Sequence, residues 1–413
     1  MLQHQLSPTN AQDRVVILDV LRGFALLGIL MVNMQWMNAP VAVSFSSISL
    51  WESFPDKLAE FLIRTLFESK FYVLFSLLFG YGFWLFLHKP SASPGQAVKI
   101  YVWRLVLLFF FGAAHVLLLW PGDILVWYAL LGLLLVLFRN VSGKGLLKWV
   151  VVLLLIPAVA TAISWLLIEL AMMHPESAKE VEAALKEQES SAVALASKAL
   201  EIYQQGSFAE IFRIRLKEYG LLLPAVIFFY PNVLAMFLLG QYAARKGFLT
   251  NLEANLEFFR KWLKAGFLIG VPLNICYAVI AMNVPVNEMS GLMVLSYLLS
   301  GFGGPLLTLA YVSAIVLMFY KGLLLKLFLK LAPVGRMALT NYLLQSIIAV
   351  VLFHSYGFGL YGQVSLWQGV VLTVVIFALQ IPLSILWLKH FYFGPFEWLW
   401  RSLTYMKRQP MKR

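Results

Sequence analysis

A single cysteine, Cys276, occurs in the 413 residues. It excludes an intramolecular disulfide, and its apolar surroundings suit packing rather than a thiol nucleophile. Charged residues are scarce at 13%, against 61% hydrophobic residues and a mean hydropathy of +0.81. A soluble domain could not hide that much apolar surface, so the composition is that of a polytopic membrane protein. The chain has no Walker A loop, no dinucleotide-binding fingerprint and no Cys/His cluster. Direct ATP drive, a bound cofactor and a structural metal are therefore not expected. No small-residue cleavage site follows the first apolar run, which reads as a retained first helix. Repeats with a period of about 20–50 residues are also missing.

What is present is an all-α pattern with about ten candidate spans, forming a single integral membrane domain over residues 1–413. They fall at 15–36, 70–88, 101–119, 123–139, 147–172, 221–243, 264–283, 293–320, 337–354 and 366–389. The net charge of +12 does not gather into one patch, so a nucleic-acid partner is not expected. Lys and Arg instead collect on Arg14, on 89–104, 139–148, 245–264 and 321–336, and on the tail, whereas 120–123, 284–292 and 355–365 contain none. By the positive-inside rule both termini are cytoplasmic. Two outer segments are long. Residues 37–69 carry apolar residues at helical spacing and read as an amphipathic helix on the outer face. Residues 173–220, rich in Ala, Glu and Lys, read as solvated helices capping that face. Residues 390–413 read as a cytoplasmic interfacial helix followed by a loose tail near anionic lipid headgroups.

The chemistry-bearing residues are few. Asp19 and Arg22 lie three apart inside the first span, on one helix face, about 7 and 12 Å inward of Arg14. They are either a self-neutralising pair or a polar site at the inner mouth of a cavity. His115, in the third span, precedes the outer turn WPGD that holds Asp123. A neutral histidine oriented by a carboxylate is a general base for proton transfer near pH 7. The structural alternative is a core histidine on a backbone carbonyl, with Asp123 as a helix N-cap. Glu68 stands four residues after Arg64, spacing that favours an ion pair, or else it faces the same outer cavity as Asn33. Near the inner face Arg336, Asn341 and Tyr342 begin the ninth span and can join Arg22 around a polar ligand. Glu397 and Arg401 are spaced for an i, i+4 pair on a Pro-started interfacial helix. The stretch SGFGGPLLT, 300–308, predicts a break or kink in the eighth span, either a transporter-like discontinuity or a site of close helix packing.

Five stretches carry a family resemblance. They are RVVILDVLRGFALLGILMVN (14–33), FYVLFSLLFGYGF (71–83), HVLLLWPGDIL (115–125), PVGRMALTNYLLQS (333–346) and FGPFEWLWRSLTY (393–405). Together they resemble the YeiB-like bacterial inner-membrane proteins, a family of unknown function, over nearly the whole chain. The Asp-x-x-Arg-Gly element is also similar to the start of membrane acyltransferases of the heparan-glucosaminide N-acetyltransferase type and of glycan O-acetylating enzymes. That resemblance implies a multi-pass protein of the bacterial cytoplasmic membrane. It would take an acyl group from cytoplasmic acyl-CoA, a co-substrate, to an envelope glycan or lipid acceptor. Asp19, Arg22, Arg336, Asn341, Tyr342 and Arg401 would then bind the donor; Arg suits CoA phosphates through bidentate hydrogen bonds. His115, Asp123, Asn33 and Glu68 would serve the outer end. Asn33 stands where the glycan O-acetylating group has a histidine, and 37–69 contains no histidine. Asparagine can position a substrate but cannot act as a base. The rival classes are a secondary transporter of a polar or anionic solute and a structural membrane protein.

Overall fold

The computed structural model describes residues 15–89, 93–284 and 288–413; the predicted inner anchor Arg14 lies outside them. The described chain is helical, with no strand beyond an isolated bridge between Phe391 and Lys412. It opens with α1 (Val16–Asn38), α2 (Phe54–Leu66), α3 (Phe71–Leu87), α4 (Pro94–Leu118), α5 (Leu125–Leu137) and α6 (Gly143–Met172). Two helices follow in the long polar segment, α7 (Pro175–Gln205) and α8 (Phe208–Leu222). The chain continues through α9 (Val226–Arg245), α10 (Leu256–Ala265), α11 (Val271–Asn283) and α12 (Gly291–Tyr320). It ends with α13 (Leu325–Arg336), α14 (Ala338–Phe353), α15 (Leu366–His390) and α16 (Pro395–Thr404).

Helices occupy all ten predicted places. Among the described residues, seven segments are long and apolar enough to cross a membrane, or eight if the bent pair α13–α14 forms one span. The short member is α5, with 13 residues against about 20 for a full crossing. The polarity of the bundle is inverted relative to a soluble core. On α15, Val371, Val374, Leu379, Leu383 and Leu386 are exposed, while Thr373, Gln380 and Ser384 are buried. Lipid tails accept the apolar face, and the polar side chains find partners inside. The amphipathic segment α2 likewise exposes Phe54, Leu58 and Leu62 while burying Asp56, Ala59 and Ile63.

Close crossings depend on small residues. α3 and α9 meet through Gly80 and Gly240, whose missing side chains leave room for the backbone at Phe237 and Leu77. α1 and α13 meet through Gly23 and Gly335 in the same way: Gly23 faces the Leu331 carbonyl and Gly335 the Asp19 carbonyl. Such contacts let backbones pack where lipid supplies no hydrophobic drive.

Three sequence expectations need correction. Residues 300–308 lie inside α12, which runs unbroken for 30 residues. Its glycines serve packing: Gly303 abuts Leu273 and Asn274, and Gly304 abuts Ser69. The discontinuity lies elsewhere, as an 80° bend between α13 and α14. The tail is not loose. The Tyr392 N–H donates to the Met411 carbonyl at 2.9 Å and the Arg413 N–H to that of His390 at 3.0 Å, while Trp398 Nε1 donates to the Gln409 carbonyl at 2.8 Å. The expected solvated cap is only half solvated. Ala192, Ala196, Ala199 and Tyr203 of α7 are buried, as are Ile211, Ile214, Arg215 and Glu218 of α8.

Candidate functional site

His115 lies near the C-terminal end of α4, and the following turn carries Asp123 back to it. The His115 Nδ1 to Asp123 Oδ1 distance is 2.8 Å. The other carboxylate oxygen accepts the Val126 N–H at 2.7 Å. Asp123 is not the N-cap of α5, which is Ile124, but from the position before it orients His115 with one oxygen and satisfies a first-turn N–H with the other. A carboxylate that accepts both bonds places the imidazole proton on Nδ1 and leaves Nε2 as an acceptor. Nε2 lies 2.8 Å from the Ser346 hydroxyl of α14, which by this tautomer donates to it. Three segments thus build an Asp–His–Ser chain, and among the described residues no backbone carbonyl takes an imidazole nitrogen. All three members are buried, at 5%, 1% and 0% exposure for Asp123, His115 and Ser346.

Ser346 was overlooked in the sequence because serine in an apolar helix is common and serves packing or hydrogen bonding. The available signal was its place four residues after Tyr342, on the same helix face, within a stretch that carries the family resemblance. Tyr342 belongs with this site. Its ring centroid is 5.1 Å from that of His115, and its buried hydroxyl, beside the Ile124 backbone, has no side-chain partner among the described residues. Trp120 closes another side, 6.4 Å from the imidazole in an edge-on arrangement. Its Nε1 donates to the Trp36 carbonyl at 3.1 Å, tying the end of α1 to the turn. Asn33, half-buried on α1, comes one helical turn before Trp36. It takes neither imidazole nitrogen.

Glu68 belongs to a separate cluster at the α2–α3 junction. Arg64 contacts Glu60 at 2.8 Å and Glu68 at 3.4 Å, so the expected ion pair forms within a larger network. Lys70 beside it is fully buried and donates to the Arg64 carbonyl at 2.7 Å.

The opposite end of the bundle holds the other predicted group. Arg22 pairs with Asp19 at 2.8 Å. The Gly23–Gly335 crossing brings the end of α13, and so Arg336, beside the Asp19 backbone. Asn341 staples the α13–α14 bend, donating to the Val334 carbonyl at 3.1 Å and to Ser384 Oγ at 3.0 Å. Glu397 turns toward α14 and accepts from the Thr340 N–H at 2.9 Å and its hydroxyl at 2.5 Å; burial holds its carboxyl above the usual range. Arg401 lies over the Phe393 ring, 4.7 Å from its centroid. Arg104, read from sequence as an ordinary anchor, is sandwiched between Trp400 and Phe86, at 4.5 and 5.0 Å. Arg104 and His115 are eleven residues apart on α4, about 16 Å along the axis.

Over the His115 end sits a polar cap that the sequence reading missed. Arg215 donates to the Leu117 carbonyl at 2.6 Å, and Tyr203 to Glu218 at 2.8 Å. A small cavity beneath is lined by Trp36, Trp120, Pro121, Tyr203, Glu218, His354 and Tyr361 among others. The signal was present: Ile211, Ile214, Arg215 and Glu218 share one helix face. Outside the spans, burial pushes the Glu218 carboxyl up to about 7, against hydrogen bonds from Tyr203 and the Ala42 and Val41 backbone. Burial, aided by Arg215, holds His354 down at about 3.

The Glu218 shift has a checkable sign. Between its ordinary value of 4.5 and about 7, the folded carboxyl keeps a proton that the unfolded chain loses. Stability therefore falls as pH rises through that window. Glu218→Gln should remove the fall. The wild-type stability relative to this variant should decline by an amount on the order of 2 kcal/mol between about pH 5 and about pH 8. His354 acts in the opposite sense as pH drops, but equally in both proteins, so the difference in melting temperature isolates Glu218. A difference independent of pH would show that the carboxyl titrates normally.

The relatives among known proteins align over 95–99% of this chain, and a family model over its C-terminal part. Residues 243–407 match the family model described as Protein of unknown function (DUF418). The chain is 33% identical to the uncharacterized protein YxaH of Bacillus subtilis, covering 99% of this chain and 98% of that one. It is 29% identical to the uncharacterized protein YeiB of Escherichia coli over 95% of this chain and 96% of that one. A third relative, an uncharacterized 39.9 kDa protein from Bacillus acidopullulyticus, is 27% identical over 98% of both chains. The signatures, the helical architecture and these full-length matches make this chain a member of the YeiB-like family.

Proposed function

We propose that the protein is an acyltransferase of the bacterial cytoplasmic membrane. It moves an acyl group from a cytoplasmic acyl-CoA-type donor to a hydroxyl of an envelope glycan or lipid. The observation that carries this reading is the buried Asp123–His115–Ser346 chain, a base with its proton acceptor side presented to a hydroxyl. At the other end of the bundle, Arg22, oriented by its pair with Asp19, and Arg336 supply the positive charge that a phosphorylated donor requires. The general base has thus moved from the end of the first helix, where Asn33 stands, to α4.

The test is a thermal-shift measurement on the purified protein with CoA, acetyl-CoA and a long-chain acyl-CoA. At ligand about 100-fold above Kd, stabilisation is about 2.7 kcal/mol, a shift of several degrees. Arg22→Ala should abolish it. No response to any CoA species would overturn the reading. The 80° break between α13 and α14 favours a second reading, secondary transport of a polar or anionic solute, since broken helices build mid-membrane sites. Solute uptake into proteoliposomes without an acyl donor would select it.

A further inference from the structure

We propose that Ser346 is the acyl carrier: its Oγ takes the acyl group as an ester before the acceptor does, so that transfer proceeds in two steps. This rests on the acyl-transfer reading and adds a nucleophile to it.

The geometry favours a covalent route over direct attack. A base acting directly on the acceptor needs a free Nε2 facing the acceptor hydroxyl. Here that nitrogen is already engaged by Ser346, 2.8 Å away, while Nδ1 is held by Asp123. The hydroxyl placed for deprotonation is the protein's own. Tyr342 adds the remaining element. One helical turn before Ser346, close to His115, it has a buried hydroxyl whose O–H no described side chain takes up, with only the Ile124 backbone beside it. Such a donor can stabilise the oxyanion of a tetrahedral intermediate. The burial of Ser346 and His115 also suits an ester intermediate, because excluded water cannot hydrolyse it.

The steps balance. Ser346 Oγ attacks the thioester carbonyl of acyl-CoA and passes its proton to His115 Nε2. The C–O bond forms, the C–S bond breaks, and the proton leaves with the sulfur as free CoA thiol. In the second half the acceptor hydroxyl attacks the ester carbonyl, gives its proton to Nε2 and releases acyl-acceptor. That proton returns to Ser346 Oγ.

The experiment uses the full chain in detergent with acetyl-CoA and no acceptor. The expected result is a burst of about one equivalent of free thiol. A matching gain of one acetyl group in intact mass should map to the peptide holding Ser346. Ser346→Ala should lose the adduct and slow thiol release at least 100-fold while keeping the CoA-induced thermal shift. Should the alanine variant fail to fold, Ser346→Cys provides the readout, as a thioester cleaved by hydroxylamine. Thiol release only when acceptor is present, with no adduct, would overturn the proposal and leave acyl transfer standing as direct transfer. An adduct on another residue would also overturn it. Failure of every CoA species to shift the melting temperature would remove the acyl-transfer reading itself.

Discussion

His115→Ala is expected to lower acyl transfer by about 10²–10⁴-fold, the usual contribution of a positioned general base, with donor binding retained. The chain that orients the imidazole lies about 16 Å along α4 from the Arg104 level, so the donor end should remain intact. The same change should also destabilise the fold. Removing the imidazole leaves the Asp123 carboxylate, with its side chain fully enclosed, with the Val126 N–H on Oδ2 as its one remaining hydrogen bond among the described residues. Leaving a buried charge short of partners costs about 3–5 kcal/mol. The two effects separate experimentally. His115→Ala combined with Asp123→Asn relieves the buried charge and should recover much of the melting temperature, yet recover no activity. Full recovery of activity in the double variant would show that the imidazole is structural. Both rates and melting temperatures are measured on the same detergent-purified samples.

Gly335→Ala is expected to be the most damaging single-methyl change near the donor end. A β-carbon there would fall inside van der Waals distance of the Asp19 carbonyl and near the Gly23 amide. Both are helix backbone and neither can rotate aside. The only relief is separation of α13 from α1, and overpacking of this kind costs about 1–3 kcal/mol. The same shift moves Arg336, the next residue of α13, relative to the α1 turn that carries Asp19 and Arg22. The variant should therefore melt several degrees lower, and its stabilisation by CoA should weaken about tenfold or more in apparent Kd. Gly322→Ala serves as the control. Gly322 is exposed on a turn with open space around it, though at φ +71°, so it should lose some stability while leaving CoA affinity unchanged. Equal loss of CoA affinity in both variants would disconnect the α1–α13 crossing from the donor site.

The pair most legible in the sequence was His115 and Asp123, since only one turn separates them and the chain cannot carry them far apart. Asp19 and Arg22 were legible for the same reason, by helical spacing. Ser346 was not, because 231 residues separate it from His115, and nothing local to α14 distinguishes a nucleophile from a packing serine. Tyr342 was assigned by its neighbours in sequence to the Arg336 end. The α13–α14 bend and the turn of helix that follows place it against His115 instead. Asn341, read from its neighbours as a ligand contact, donates to the Val334 carbonyl at the bend and to Ser384 of α15, partners that helical spacing along α14 does not reveal.

Local rules were enough for the class of the molecule. Apolar runs near the thickness of a bilayer and scarce charge required a helical membrane protein, and i, i+3 and i, i+4 spacing set the short-range pairs. The signatures in the first, third and last segments were enough for its family. What helix spacing could not decide was which faces meet, because in lipid both faces of a span are apolar and packing depends on small residues and backbone approach. The crossings through Gly23 and Gly335 and through Gly80 and Gly240 settle those faces. The packing of α12 is tertiary as well: Asn274 of α11 donates to the Gly303 carbonyl at 2.8 Å, where the absence of a side chain on Gly303 lets the two helices approach. The convergence of α4, its turn and α14 on His115 is likewise a tertiary fact. A buried imidazole needs a partner on each nitrogen, and only the folded bundle brings the second one, Ser346, within reach.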